Sequence, residues 1–223
     1  MNCRILSLLT LAVLATPVTT HAQGGYLGVG AGWAHYPEDN DVQEALDAVR
    51  SYAVSNLGTT VRSSSTSTDY DKLGYKIFLG YDFNEWIALE VGYLNLNGSD
   101  LKLNSSFNNG TAGDLNFDSR VHGASLTPVF KYHPNKQSTI FGKVGGFLYN
   151  VKTEAKSSGA LAAVSGSEKS DGVSLITGVG GEFKITNNLS LRAEYEFLND
   201  VGKENKTGQT DIHFLSGSIV IHQ

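Results

Sequence analysis

The sequence predicts an all-β protein: an eight-stranded antiparallel up-and-down transmembrane β-barrel with one short helix in its first long loop. Three observations predict it. Apolar residues alternate with small or polar ones at a period of two, in segments of roughly ten residues. Tight connections and long connections follow one another in strict alternation. Aromatic residues gather where the segments end, and the charges share a face with the glycines rather than with the leucines.

The start of the chain sets the compartment. Arg4 precedes an apolar run from Ile5 to Val13, and small residues lead to Thr20, His21 and Ala22, the layout of a secretory signal cleaved after Ala22. Residues 1–22 are read as that signal and residues 23–223 as a single barrel domain. Cys3 is the only cysteine and lies inside the signal, so the mature chain is expected to form no disulfide and no zinc-type cysteine site. Twenty-five glycines against four prolines suit many strands and turns. No run after the signal reaches the roughly 18 apolar residues of a spanning helix, so a bilayer crossing has to be a closed sheet. A net charge of −5 and a pI near 5.6 argue against a nucleic-acid partner.

The first strand runs from Tyr26 to Tyr36, with Leu27, Val29, Ala31 and Trp33 on one face and Gly28, Gly30 and Gly32 on the other. GxGxG inside a strand, with no helix opening after it, is not a dinucleotide fingerprint. Small residues there leave room in a crowded interior. Residues 37–70 form the first long excursion. Asp41 and Glu44 have capping-box spacing, and Val42, Leu46, Val49, Ala53 and Leu57 recur at three or four residues, which predicts an amphipathic helix from about Asp41 to Leu57. Its stripe suits either a partner or, the preferred reading, a lid packed on the barrel mouth. The Ser/Thr tract from Ser63 to Thr68 reads as a flexible linker.

From Lys72 to Phe83 the outward set is Leu73, Tyr75, Ile77, Leu79, Tyr81 and Phe83, and Lys76 and Phe78 point inward with the glycines. The next strand sets Ile87, Leu89, Val91 and Tyr93 against Ala88, Glu90 and Gly92. Tyr81, Phe83 and Trp86 ring the tight turn between them, as an interfacial aromatic girdle does. In residues 97–118 an Asn109-Gly110 turn between alternating leucines predicts a hairpin beyond the membrane. The fourth strand, Val121 to Tyr132, turns Leu126, Pro128 and Phe130 outward and Thr127, Val129 and Lys131 inward. Pro128 lacks a ladder donor and is expected at a bulge or at the membrane edge. The fifth strand, Thr139 to Asn150, places Ile140, Val144 and Leu148 outward and Phe141, Lys143 and Phe147 inward. Residues 151–171 read as a third long loop.

The clearest hairpin is Gly172 to Phe197. Val173, Leu175, Val179 and Phe183 oppose Ser174, Ile176 and Glu182 on its first arm. Leu191, Ala193, Tyr195 and Phe197 oppose Arg192, Glu194 and Glu196 on its second. Residues 199–211 are a fourth loop, and the last strand, Ile212 to Gln223, places Leu215, Ile219 and Ile221 outward. Periodicity alone also suits a soluble lipocalin-type barrel with its faces inverted. The aromatic ends and the glycine–charge face favour lipid outside. Ten residues rising ~3.3 Å each at a tilt of about 40° cover the ~25 Å apolar band.

These segments resemble a known family. GVSLITGVGGEFKITNNLSLRAEYEF resembles the sixth and seventh strands of the OmpA-type transmembrane barrel, ASLTPVFKYHPNKQSTIFGKVGGFLYN the fourth and fifth, and WIALEVGY the third. The resemblance covers most of Gly25 to Gln223. It implies a non-enzymatic bacterial outer-membrane protein, exported through the periplasm, in contact with outer-membrane lipid. It implies a role in envelope integrity, with loops 37–70 and 151–171 open to an extracellular partner. The family's interior charges carry over to Glu90, Glu182, Arg192 and Glu194, with Lys143 where a basic residue is usual. Val129 stands where better-known members carry a lysine, and Lys131 on the same face is the expected substitute. The peptidoglycan-binding domain that follows in full-length relatives is not expected. The ending Val220-Ile221-His222-Gln223 departs from the aromatic terminus that the assembly machinery commonly reads.

Three roles suit the lumen charges Glu90, Lys143, Glu182, Arg192, Glu194 and Lys131. They form a static ion-pair filler in place of a hydrophobic core that an inverted barrel lacks, or a gate for a small passive pore, or a catalytic group. Filler is preferred, because buried networks are usually structural. A lipid-modifying enzyme wants a His, a Ser and a carboxylate at one mouth. His35, His122 and His213 lie toward the long-loop end without a paired Ser, and His133 lies at the other end. No catalytic residue, cofactor or metal site is assigned.

Overall fold

The computed structural model describes residues 24–37, 41–203 and 207–223. The signal read from residues 1–22 lies outside them, as do the side chains of Asp41 and Glu44 and with them the capping box. The elements in order are β1 (Gly25–His35), α1 (Asp41–Leu57), β2 (Val61–Asp69), β3 (Asp71–Asp82), β4 (Ile87–Asn97) and β5 (Asp100–Phe107). They continue with β6 (Ala112–Tyr132), β7 (Ser138–Gly159), β8 (Gly166–Lys184), β9 (Leu189–Lys203) and β10 (Gly208–His222). Eight of the ten strands close an antiparallel ring in the order β1-β3-β4-β6-β7-β8-β9-β10, sealed by the β10–β1 and β6–β7 pairings. Closure leaves no unpaired ladder facing lipid, the condition for a sheet to cross a bilayer.

The faces are as the aromatic strand ends and the shared glycine–charge face predict. Leu191 and Tyr195 are 50% and 40% exposed on the outer wall, whereas the intervening Arg192 and its neighbour Glu194 are each 2% exposed inside. Leu27, Val29, Ile77, Leu79, Val91, Leu126 and Val179 continue the exposed apolar belt around the ring. A soluble barrel would bury that row, so the belt marks the lipid-facing surface. Tyr81, Phe83, Trp86, Phe130 and Tyr132 are exposed at the tight-turn end, and Trp33, Tyr75, Tyr93 and Tyr195 toward the other. The inner glycines make room for rings: a Cβ on Gly28 would lie 2.1 Å from Phe78, and one on Gly80 2.0 Å from Tyr26.

Four local expectations are corrected. The tract Ser63–Thr68 is not a linker but most of β2, laddered to β5 from Val61 opposite Phe107 to Asp69 opposite Asp100. With water on its exposed faces it needs no apolar alternation, so composition hides a strand that backbone pairing makes. Residues 151–171 are likewise largely strand: β7 and β8 stay paired up to Ala155 opposite Gly166. In residues 199–211, β9 and β10 continue to Lys203 opposite Gly208. Pro128 produces no bulge. The β6–β7 pairs lapse beside it and resume in unchanged register, from Leu126 opposite Gly146 to Val129 opposite Lys143, while β4 still pairs Leu89 with Pro128.

Beyond the ring, β2, β5 and the upper parts of β6, β7 and β8 form a sheet that stands above the long-connection mouth. The strand β4 leaves the ring at a register shift between Asn95 and Asn97, where Asn97 adopts φ 52°. The helix α1 packs Val49 and Ala53 against Leu103, Phe107, Leu115 and Leu161 of this extension, with Leu46, Tyr52 and Leu57 half-buried around them. The stripe is spent on the protein's own structure, but on the sheet extension rather than on the barrel mouth where the lid reading places it.

Candidate functional site

The lumen is built in layers by the inward residues of successive strands. At the tight-turn mouth Lys131 pairs with Asp82 at 2.5 Å. Next come Tyr26, Phe78, Ala88, Val129, Phe141 and Val220, a mainly aromatic and small-residue cluster. Arg192 sits among these rings, its guanidinium 4.6 Å from the Phe141 centroid and 4.8 Å from that of Phe78. It binds Glu90 at 2.5 Å and Glu182 at 2.9 Å, and Tyr26 donates to Glu90 at 2.8 Å. The other Glu182 oxygen meets His222 Nε2 at 2.8 Å.

A second cluster adjoins this one. Lys76 reaches Glu194 at 2.5 Å and Glu196 at 2.7 Å, and Lys143 reaches the other oxygens of the same two carboxylates at 2.5 and 2.7 Å. Lys143 also lies 3.7 Å from Glu90, which joins the two clusters. Two lysines clamp two carboxylates, so each buried charge faces opposite charges. Three cations, Lys76, Lys143 and Arg192, meet four carboxylates, Glu90, Glu182, Glu194 and Glu196, and His222 is the remaining basic group.

Above the charges the lumen is apolar. Leu94, Leu96, Val121, Phe147, Ile176, Leu198, Ile212 and Phe214 are all buried in one cluster with Ala34 and Tyr36. The barrel therefore does possess a hydrophobic core, contrary to the expectation that charges replace it. Between β6 and β7 the register continues unchanged, but near the membrane surface the inward set becomes the apolar one.

Comparison with known proteins follows this geometry. The family model of the OmpA-like transmembrane domain matches residues 20–223. The chain belongs to this family. Outer membrane protein A of Yersinia pseudotuberculosis is 25% identical over 207 residues, covering 90% of this chain and 50% of that protein. Outer membrane protein A of Klebsiella pneumoniae is 28% identical over 151 residues, 68% of this chain and 41% of that one. The chain thus spans about half the length of the curated relatives it matches. Among solved structures, Neisserial surface protein A superposes with a TM-score of 0.52 at 12% identity, over 90% of this chain and 99% of that one, a likeness of fold. The protein is a bacterial outer-membrane barrel.

Within this OmpA-like barrel, Glu90, Lys143, Glu182, Arg192 and Glu194 are brought together. Lys131 is not among them, because it is held at the mouth by Asp82 and stacks 4.5 Å over Tyr26. The additional cation is Lys76, from β3. Lys76, Glu196, Tyr26 and His222 were not assigned to the cluster from sequence, although the parity of their strands places each on the inner face.

The histidines separate into two settings. His35 contacts Asp71 at 2.8 Å, and His213 meets the Tyr195 hydroxyl at 2.6 Å, both toward the long-connection end. At the opposite mouth Ser190, His222 and Glu182 do come together, at 3.2 Å and 2.8 Å. Both Ser190 and Glu182 address the same ring nitrogen, Nε2. A nucleophilic triad needs the serine on one nitrogen and the carboxylate on the other, so this arrangement cannot relay a proton from Ser190.

Proposed function

We propose that this chain is a non-enzymatic envelope protein that stiffens the outer membrane as a closed barrel and carries its helix-capped sheet on the cell surface. The observation that supports this reading is the layered filling of the lumen: paired charges below and the apolar plug around Phe147, Ile176 and Phe214 above. Water and ions avoid an apolar constriction, which closes a pore by dewetting. Purified barrel in planar bilayers is expected to give no conductance steps. Steps above background in the unaltered chain would refute the closed reading.

A passive pore for small solutes is the second reading. It draws support from the hydroxyls of Thr127, Ser174, Ser216 and Ser218, which are buried without a hydrogen-bond partner among the described residues. Such groups suit a wet lumen. The double substitution Phe147→Ser/Phe214→Ser separates the readings. If the plug is what closes the barrel, conductance appears only in that variant.

A further inference from the structure

A cavity of about 380 Å³ lies between α1 and the barrel mouth. It is separate from the charged lumen, since Tyr70 on its wall packs onto the apolar plug beneath. Its apolar surface comes from Val42, Ala45 and Ala48 of α1, with Leu101 and Phe117 from the sheet. Its polar surface is made of hydroxyls: Thr68, Tyr70, Ser99, Ser119, Thr153 and Thr207. Among the described residues Asp100 is the one carboxylate on the wall, and Lys72 pairs with it at 2.7 Å while also holding Asp69.

That lining discriminates between ligand classes. An anion would need a cation to spare, and among the described residues Lys72 is already shared by two carboxylates. A cation would have to approach Asp100 beside the Lys72 ammonium that already holds it, against like-charge repulsion. A plain hydrocarbon would cover the hydroxyls of Thr68, Tyr70 and Ser99, which have no partner among the described residues, without satisfying them, which is costly for each. Hydroxyls act as donor and acceptor at once, so they match a ligand that is both at many positions. Ser119 and Thr153 bond each other at 2.8 Å and Thr207 bonds Ser170 at 2.6 Å, which fixes their orientation before any ligand arrives. Phe117 and Tyr70 offer aromatic surface to a ring with an apolar C–H face. The volume lies toward the small end of the roughly 300–1,000 Å³ that ligand sites occupy.

We propose that this cavity is a binding site for an uncharged sugar, one or two rings in size, presented either free or as the end of a glycolipid. The proposal does not depend on whether the lumen conducts. The test is saturation-transfer NMR on the full chain in detergent micelles with methyl β-glucoside, methyl β-galactoside and maltose, and with gluconate and glucosamine as charged counterparts. A parallel arm uses nanodiscs containing a galactosyl diacylglycerol. Saturable transfer from a neutral sugar in micelles identifies a free ligand, and transfer only in the nanodisc identifies a membrane-borne one. Ser119→Val/Thr153→Val should weaken binding about tenfold, the loss of roughly one satisfied hydrogen bond. Ala48→Trp, an exposed helix position that can fill the cavity, should abolish it even where the double variant folds poorly. Unboiled gel mobility checks folding in both. No saturable transfer from any neutral sugar or glycolipid, preference for a charged counterpart, or binding unchanged in folded Ala48→Trp would each overturn the proposal.

Discussion

The ring and the sheet above it share β6, β7 and β8, and β6 buries the same inward row in both, mainly polar and charged in the lower ring but apolar in the sheet. In β6, Leu115 and Val121 point inward and are buried, whereas Leu126 and Phe130 point outward and are exposed. Both pairs lie on one continuous strand whose pleat never slips. At the level of the plug both faces are apolar: Tyr93 outside lies next to Leu94 inside in β4, and Leu215 outside next to Phe214 inside in β10. What changes is the solvent. Where lipid surrounds the wall, apolar residues gain nothing by turning inward and the enclosed side must satisfy charges instead. Where water surrounds it, the ordinary hydrophobic effect returns and builds a core under α1. The level above which the outward row ceases to be apolar, between Arg120 and Leu126 in β6, therefore marks the membrane surface within a single strand.

The comparison breaks most sharply at Arg192. Its side chain is fully buried and holds Glu90 and Glu182. Arg192→Ala leaves two buried carboxylates without their main partner, and removing one member of such a pair costs about 3–5 kcal/mol. Urea unfolding of the lipid-reconstituted barrel should show a midpoint lowered to match, with gel mobility lost at a lower temperature. An unchanged midpoint would mean the lumen is wet enough to solvate both acids.

Leu103→Ala tests the other half. Leu103 is fully buried beneath α1. Such truncations cost about 2–5 kcal/mol in a packed core. Here the loss should fall on the cap alone: faster amide exchange in α1 and β5, with the unfolding midpoint of the ring unmoved. Coupled loss of both would show that the cap and ring form one cooperative unit. Leu79→Lys probes the wall between them. Leu79 is 47% exposed amid the apolar belt, so a lysine there should cost about 2–4 kcal/mol in lipid. The same substitution at Thr66 of β2, exposed to water, should be nearly silent.

Much of this was legible in the alternation, because a pleated strand assigns each residue a face by its number alone. The rows of β3 and β4 follow from it, the helix from Asp41 to Leu57 follows from a recurrence at three or four residues, and the hairpin at Asn109-Gly110 follows from its turn residues. Parity does not give height. Lys131 and Lys143 share the inner face, but the stagger between strands puts Lys131 beside Asp82 at the mouth and Lys143 beside Glu194 in the middle. Lys76 was visible on the inner face, and only the closed ring brings β3 opposite β9 to meet Glu194 and Glu196. The serine-rich β2 was illegible for a different reason. Its ladder is a property of the backbone, and polar side chains on exposed faces leave no periodic trace.

The smallest effect concerns pH and separates the two regions by their solvent. In the extension, a hydrogen bond from Lys72 and its charge hold the exposed Asp69 carboxyl below its usual range. Glu154 is lowered in the same way by the hydrogen bond and charge of Lys152. A carboxyl with a depressed folded-state value favours folding above its ordinary value, near 4, and loses that contribution as pH falls through the lower one. Both pairs lie in water, so the gain is slight and salt weakens it further. Trypsin cleavage after Lys72 and Lys152 should therefore be compared after brief exposure to pH 6 and pH 3, at low and high salt. Cleavage should rise modestly from acid exposure at low salt and show little pH dependence at high salt, while the buried lumen pairs keep the ring intact. A ring that opened in the same acid step would place its carboxylates in contact with bulk water, and the contrast between the two regions would fail.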